Sequence, residues 1–309
     1  MKIVLLDTLT FGGTDLAGFD AFGEVALYET TAPELTLPRI ADADVVVTNK
    51  VVITGEMMEA TPALKLICVA ATGMNNVDLE AAEKRGIAVK NVAGYSTDSV
   101  IQHTFSMLFY LMGHSRYYDD YVKEGGWQRS PVFTHVARPF HEIRGKTWGI
   151  IGLGEIGRGV ANVARAFGAH VRYYSTSGKN ANPDFEQVTL SRLLEESDIV
   201  TIHAPLNAQT KGLIGHSELL IMKDGAVLLN LGRGGIVDER ALAAIIDAKP
   251  IRVGLDVLEK EPMTDPHPLM EIKHKERLYI TPHIAWTSVE ARDTLIAKVI
   301  GNIRTFCEQ

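Results

Sequence analysis

Lys146-Thr147-Trp148-Gly149-Ile150-Ile151-Gly152-Leu153-Gly154-Glu155-Ile156-Gly157 reads as a strand, a glycine turn and the start of a helix. Thr147–Ile151 is short, mostly apolar and uncharged, as a strand buried on both faces requires. Gly152, Gly154 and Gly157 fit G-x-G-x-x-G. In that pattern Gly152 permits the tight turn, Gly154 lets backbone approach a pyrophosphate, and Gly157 lets the helix pack close on the strand. Ile156, Val160, Val163 and Phe167 recur at steps of four, three and four, one face of a helix. Gly168 stands where a C-cap belongs. Such a helix opens at Glu155 and Ile156 with free N–H groups and a positive dipole end, which suits an anion. Alone the motif is weak, and a bare structural turn is the bland alternative. With a strand before it and a helix after it, dinucleotide binding is the reading.

On either side, short apolar runs alternate with mixed segments. Residues 3–6, 45–47, 66–70 and 87–89 read as strands, and 57–60 and 79–84 as helices. This is the pattern of a small parallel-sheet domain. Ala71-Thr72-Gly73-Met74-Asn75 lies just past one of these strands, where loop N–H groups suit an anion; a plain turn fits equally. Residues 91–96 are turn-rich and mark a boundary. A long helix then opens at Ser96 or Asp98, both good N-caps. Residues 100–112 of it carry no Asp, Glu, Lys or Arg, which predicts burial in a core and against a second copy of the chain. Residues 117–143 read as an irregular, aromatic arm.

After Gly168, His170–Tyr174 and residues 199–203, 226–231, 252–257 and 278–281 read as strands. Leu190–Glu196 and residues 218–222 and 239–247 read as helices, and 288–306 as a helix returning to the first domain. These patterns predict an α/β chain: a small parallel-sheet domain first, a doubly wound parallel sheet after it, and a last helix that crosses back onto the first domain.

A length of 309 residues is enough for two cores. A net charge of −7 with no basic stripe argues against nucleic acid. Two cysteines, Cys68 and Cys307, make no disulfide framework and suit a reducing cytoplasm. The first apolar run is too short for a signal-peptide core, and none approaches membrane-spanning length. No metal is expected.

In an open parallel sheet the ligand lies outside the carboxyl ends of the strands. Arg233, Glu261 and His283 each fall in a loop just past such an end. Singly, each has a dull explanation: a solvated Arg, a loop Glu before proline, a capped His. Three on the edge that bears the glycine turn point to chemistry.

The ordered set of the glycine turn, His203-Ala204-Pro205-Leu206, residues 230–238, Gly254-Leu255-Asp256-Val257, Glu261-Pro262 and Pro282-His283 resembles the D-isomer-specific 2-hydroxyacid dehydrogenase family, and most its glycerate dehydrogenase/hydroxypyruvate reductase members. The similarity covers nearly the whole chain and implies an α/β fold of two Rossmann-like domains, a flavodoxin-like substrate domain at 1–97 plus 285–309 interrupted by a dinucleotide-binding domain at 98–284. It implies hydride exchange between NAD(P)H and a small 2-keto acid such as hydroxypyruvate or glyoxylate, in a homodimer. His283 would be the acid–base, buttressed by Glu261, and Arg233 would bind the substrate carboxylate and polarise the keto oxygen. Backbone N–H groups at Gly73 and Met74 would hold the carboxylate from its other side. The cofactor would lie along Gly152, Gly154, Glu155, Ile156, Gly157, His203, Ala204, Pro205, Leu231, Gly232 and Arg233. Asp256 would meet the nicotinamide carboxamide, and Val100 and Trp286 would flank the ring beside His283.

Two departures matter. Ser175 stands where NAD-preferring members usually carry an acidic residue. Ser175, Thr176, Ser177 and Lys179 offer hydroxyls and positive charge instead, which favours NADP and leaves NAD open. Gln102 stands where many relatives carry Glu, which nothing in the sequence explains. The rival from another class is a non-catalytic dinucleotide-sensing protein, corepressor-like, on the same scaffold; the full Arg233, Glu261 and His283 set argues against it. Formate dehydrogenases place Gln near their catalytic His, whereas Pro282 precedes His283 here.

Overall fold

The computed structural model describes residues 1–179 and 181–308. It divides into two compact units, residues 1–96 with 287–309, and residues 97–286. The sequence reading drew these changes after residues 97 and 284.

The first unit holds β1 (Lys2–Leu5), β2 (Glu24–Leu27), β3 (Val45–Thr48), β4 (Leu66–Val69) and β5 (Ala88–Lys90). They form one sheet in the order β2-β1-β3-β4-β5, parallel throughout. β3 and β4 are buried at every position, hence their unbroken apolar runs. β2 lies at the sheet edge, half exposed. Its apolar run, Val25-Ala26-Leu27, is short and begins after a charged residue at an exposed edge, and the sequence reading passed over it. The same reading missed the helix Pro33–Ile40, which starts on one proline and contains another. The strand order reverses between β1 and β3. There Asp7, just past β1, accepts from the backbone N–H groups of Asn49 and Lys50 at 2.9 and 2.7 Å. Burial pushes the Asp7 carboxyl up, against those hydrogen bonds. The C-terminal helix Val289–Cys307 turns Leu295, Ile296, Val299 and Ile303 inward.

The second unit holds β6 (Thr147–Ile151), β7 (His170–Tyr174), β8 (Glu186–Gln187), β9 (Ile199–Ile202), β10 (Val227–Asn230), β11 (Arg252–Leu255) and β12 (Leu278–Ile280). Their order is β12-β11-β10-β9-β6-β7-β8, again all parallel. Successive side chains point to opposite faces, so each strand feeds two cores. Trp148, Ile150, Val227 and Leu229 pack with the helices Thr97–Met112 and Glu155–Ala166. Ile151, Val200, Ile202, Leu228 and Val253 pack with Leu190–Glu196, His216–Ile221 and Glu239–Ala248. A Cβ on Gly159 would lie 2.1 Å from Ile101 Cδ1, so this glycine makes room for the Ile101 side chain between those first two helices.

Thr97–Met112 buries Val100, Phe105, Met107, Leu108 and Leu111 in its own unit and leaves Phe109 exposed. The segment expected to be irregular contains a helix, Ser115–Lys123, with no buried residue. Its apolar side chains Tyr117, Tyr118, Tyr121 and Val122 do recur at helical spacing, but none of them is buried, so the stripe serves no core of this unit.

Candidate active site

Three loops at the carboxyl edge of the seven-stranded sheet are tied to one another. After β10, the buried Asn230 shapes the turn that carries Arg233. Its Nδ2 donates to the Arg233 carbonyl at 2.8 Å, and its Oδ1 accepts from Gly232 N at 3.1 Å. The Arg233 guanidinium donates to the Gly232 carbonyl at 2.8 Å. A Cβ on Gly234 would lie 1.8 Å from the Leu258 carbonyl oxygen. The Arg233 turn thus leans backbone to backbone on the loop after β11, where only glycine fits.

In that second loop Glu261 Oε1 accepts from Leu258 N at 3.0 Å, while Oε2 lies 2.7 Å from His283 Nδ1. A carboxylate accepts, so Nδ1 carries the proton and Nε2 is the nitrogen left for exchange. The pair is sheltered, with side chains 31% and 22% exposed for Glu261 and His283. His283 itself adopts φ +55°, left-handed backbone that few residues other than Gly, Asn, Asp and His accept. Its N–H donates to the Thr281 carbonyl at 2.9 Å.

Asp256, 2% exposed, governs the third loop. Oδ1 accepts from Thr281 Oγ1 at 2.6 Å and from Ile284 N at 2.9 Å, and Oδ2 accepts from Ala285 N at 3.0 Å. Both oxygens of this carboxylate, expected at the nicotinamide carboxamide, are thus turned to the segment that carries His283. Thr281 Oγ1 lies 3.1 Å from His103 Nε2 and, already a donor to Asp256, accepts there. Burial lowers the His103 imidazole pKa and the nearby Asp256 charge opposes it. His103 and Thr281 escaped the sequence reading because a His in an apolar helix and a Thr at a strand end carry no signal. Val100 is buried in the core with Trp148, Leu231 and Ala285 rather than set on an open surface.

The glycine turn has the shape a dinucleotide needs. Gly152 has φ +91°, and a Cβ on Gly157 would lie 2.2 Å from the Gly152 carbonyl oxygen. A Cβ on Gly154 would meet nothing within 4 Å, so the approach to the helix Glu155–Ala166 is open. Strand register puts Ser175, after β7, and His203, after β9, on the two sides of this turn. Ser175 Oγ and both ring nitrogens of His203 are buried without a hydrogen-bond partner among the described residues. Orphaned polar atoms beside a glycine cradle fit a polar ligand. Thr176 is half-buried and Ser177 and Lys179 are exposed, with Ser177 Oγ accepting from Lys179 N at 3.3 Å. Ala204 and Leu231 are buried, Pro205 is exposed, and Trp286 is partly buried at the unit's last residue.

Gly73 and Met74 belong to the first unit, after β4. Their turn is held by Asn91 Nδ2 donating to the Thr72 carbonyl at 2.7 Å and by Val77 N donating to the Met74 carbonyl at 3.1 Å.

Residues 105–285 match the model of the D-isomer specific 2-hydroxyacid dehydrogenase, NAD binding domain. The chain belongs to this family. It is 36% identical to a hydroxypyruvate reductase of Blautia hydrogenotrophica over 99% of its own length and 97% of that protein's. It is also 36% identical to a glycerate dehydrogenase of Methylorubrum extorquens, over 99% and 96%. The solved structure of an acyclic imino acid reductase (Bsp5) in complex with NADPH and D-Arg superposes with a TM-score of 0.85 at 29% identity, covering 100% of this chain and 98% of that one. The chain is thus an oxidoreductase of the 2-hydroxyacid dehydrogenase class with a nicotinamide dinucleotide domain. Among the described residues no helix is long and apolar enough to cross a membrane, and no cluster of His, Cys, Asp and Glu would hold a metal.

In this dehydrogenase burial pushes the His203 imidazole down to about 3. The ring is neutral in the folded protein but takes up a proton on unfolding below its ordinary value near 6.5. Its contribution to stability is therefore present above pH 6.5 and is lost as pH falls toward 3, at up to about 1.4 kcal/mol per pH unit. Urea unfolding between pH 7 and 5 should show a shallower pH dependence for His203→Leu than for the parent. Identical slopes would mean that the ring titrates in the folded state.

Proposed function

We propose that this dehydrogenase reduces a small 2-keto acid, hydroxypyruvate or glyoxylate, to the D-2-hydroxy acid, and runs the reverse reaction when product accumulates. The observation that carries this is the 2.7 Å Glu261–His283 pair, set on a loop that leans on the Arg233 turn. A bound nicotinamide supplies the hydride to the keto carbon. The Arg233 fork binds the substrate carboxylate and draws charge toward the keto oxygen as it becomes an alkoxide. His283 Nε2 gives that oxygen its proton, turning C=O into CH–OH, and Glu261 holds Nδ1–H and balances the imidazolium before transfer. In the first unit, the turn at Gly73 and Met74 is suited by its backbone N–H groups to a carboxylate. The family similarity to a hydroxypyruvate reductase and a glycerate dehydrogenase supports the substrate choice.

For the cofactor, Ser175, Thr176, Ser177 and Lys179 favour NADPH, because the segment presents hydroxyls and a cation and no carboxylate to a 2′-phosphate. A spectrophotometric panel of 2-keto acids with NADH and NADPH side by side tests both choices. Hydroxypyruvate and glyoxylate should give the highest kcat/KM, and NADPH the lower KM. Lys179→Glu should raise the KM for NADPH several-fold more than that for NADH, by about 1 kcal/mol for an exposed pair. Equal losses would mean that Lys179 does not read the phosphate, and no turnover of any keto acid would remove the function. The exposed apolar side chains Trp127, Phe133, Val136 and Phe140 suit a second copy of the chain, so a homodimer accompanies this reading. Light scattering of the purified chain reads its mass, and a monomer at micromolar concentration would refute it. The two free thiols, Cys68 and Cys307, suit the cytoplasm.

A further inference from the structure

The loop that carries Glu261 is fastened by a second carboxylate–imidazole pair, distinct from the one at His283. Glu239 opens the helix Glu239–Ala248, yet it is 9% exposed and turned away from solvent. Its Oε1 accepts from Glu259 N at 2.6 Å, and its Oε2 lies 3.0 Å from His267 Nε2. His267, 7% exposed, accepts from Leu269 N at Nδ1, at 3.3 Å. An acceptor at Nδ1 puts the ring proton on Nε2, so His267 donates to Glu239.

The preceding residue explains why this carboxylate serves the loop and not the helix. Asp238 already caps the helix, accepting from Arg240 N and Ala241 N at 2.9 and 3.0 Å. Glu239 is thereby released to hold the chain on both sides of Glu261, at residue 259 through a backbone N–H and at residue 267 through an imidazole. The sequence then closes in three steps. Glu239 holds Glu259; Leu258 N, one residue earlier, holds Glu261 Oε1; Glu261 Oε2 holds His283. Of the other charged side chains of these two segments, Asp238, Arg240, Glu259, Lys260 and Asp265 belong to exposed residues, and Asp247, half-buried at the far end of the helix, accepts from Lys273 N and His274 N. A buried pair of this kind is costly to leave half-made, since the remaining partner stays desolvated without its hydrogen bond.

We infer that Glu239 and His267 are positioning residues that keep the 258–267 loop in the one conformation that sets Glu261 against His283. This rests on the reading of Glu261 and His283 as the acid–base pair. It extends that reading to two residues that touch neither substrate nor cofactor.

The test is the pH profile of kcat/KM for keto-acid reduction by the purified enzyme, measured for the parent and for Glu261→Gln, Glu239→Gln, His267→Ala and His267→Gln. Without the Glu261 carboxylate beside it the imidazolium loses its counter-charge, so activity falls off at lower pH. Glu261→Gln should move the alkaline limb toward acid by about one pH unit or more. His267→Ala should move it the same way, with the KM for the keto acid changed less than kcat. His267→Gln, whose amide can still donate to Glu239, should restore most of the profile. If His267→Ala does not fold, Glu239→Gln, of the same size, supplies the comparison and should give a shift in the same direction. A shift for Glu261→Gln with none for Glu239→Gln and His267→Ala would overturn the positioning role and leave the acid–base pair standing. No shift for Glu261→Gln would overturn the pair itself, and the inference with it.

Discussion

His283→Asn lowers kcat for keto-acid reduction by about 10²–10⁴-fold, the range a positioned general acid contributes, with little change in affinity for the reduced cofactor. Asn is the informative substitution because residue 283 has φ +55°, and Asn accepts left-handed backbone better than Ala does. The loss then reads proton transfer and not a rearranged loop. Asp256 acts on the backbone of Ile284 and Ala285, so the segment stays anchored when the imidazole is removed. Steady-state turnover and a fluorescence titration of NADH or NADPH separate the two effects. Turnover near the parent's would take His283 out of the reaction.

Arg233→Ala should lower kcat/KM by about 10²–10³-fold, because in the proposed reaction two charged hydrogen bonds are lost together, one to the substrate carboxylate and one to the keto oxygen. Both kcat and KM should suffer, since the first partner is present in the ground state and the second strengthens as the alkoxide forms. The turn itself should survive. It is shaped by the Asn230 side chain and by the close approach at Gly234, neither of which involves the guanidinium. Arg233→Lys keeps the charge but loses the fork, and should recover only part of the activity. An unchanged kcat/KM in the Ala variant, with circular dichroism matching the parent, would exclude Arg233 from the substrate site.

Much of this edge was legible because each element there leaves a local mark. β6 runs into three spaced glycines, and Arg233, Glu261 and His283 each follow an apolar run that is a strand in the structure. The helix Leu190–Glu196 was readable to its ends, since Thr189 caps it and Leu193 and Leu194 face a core. What escaped depends on partners distant in the chain or on no partner at all. β2 lies on an edge with no fully buried position, and Ser115–Lys123 carries its apolar stripe on the surface, so neither is marked by a core of its own unit. Asp256 was legible as a residue but not in its contacts, because the donors at residues 281, 284 and 285 follow it by 25 residues or more. Glu239 reads as a helix-start acid, and nothing in its neighbourhood announces His267, 28 residues on.

The left-handed backbone at His283 has a consequence for how this site can be taken apart. It is a conformation that glycine adopts without steric strain. The ring can therefore be pared back to the main chain without bending the loop. What remains beside the Glu261 carboxylate is a vacancy the size of a free azole. The group proposed to move the proton is in this sense a detachable part, and a diffusible base of the same shape has somewhere to sit.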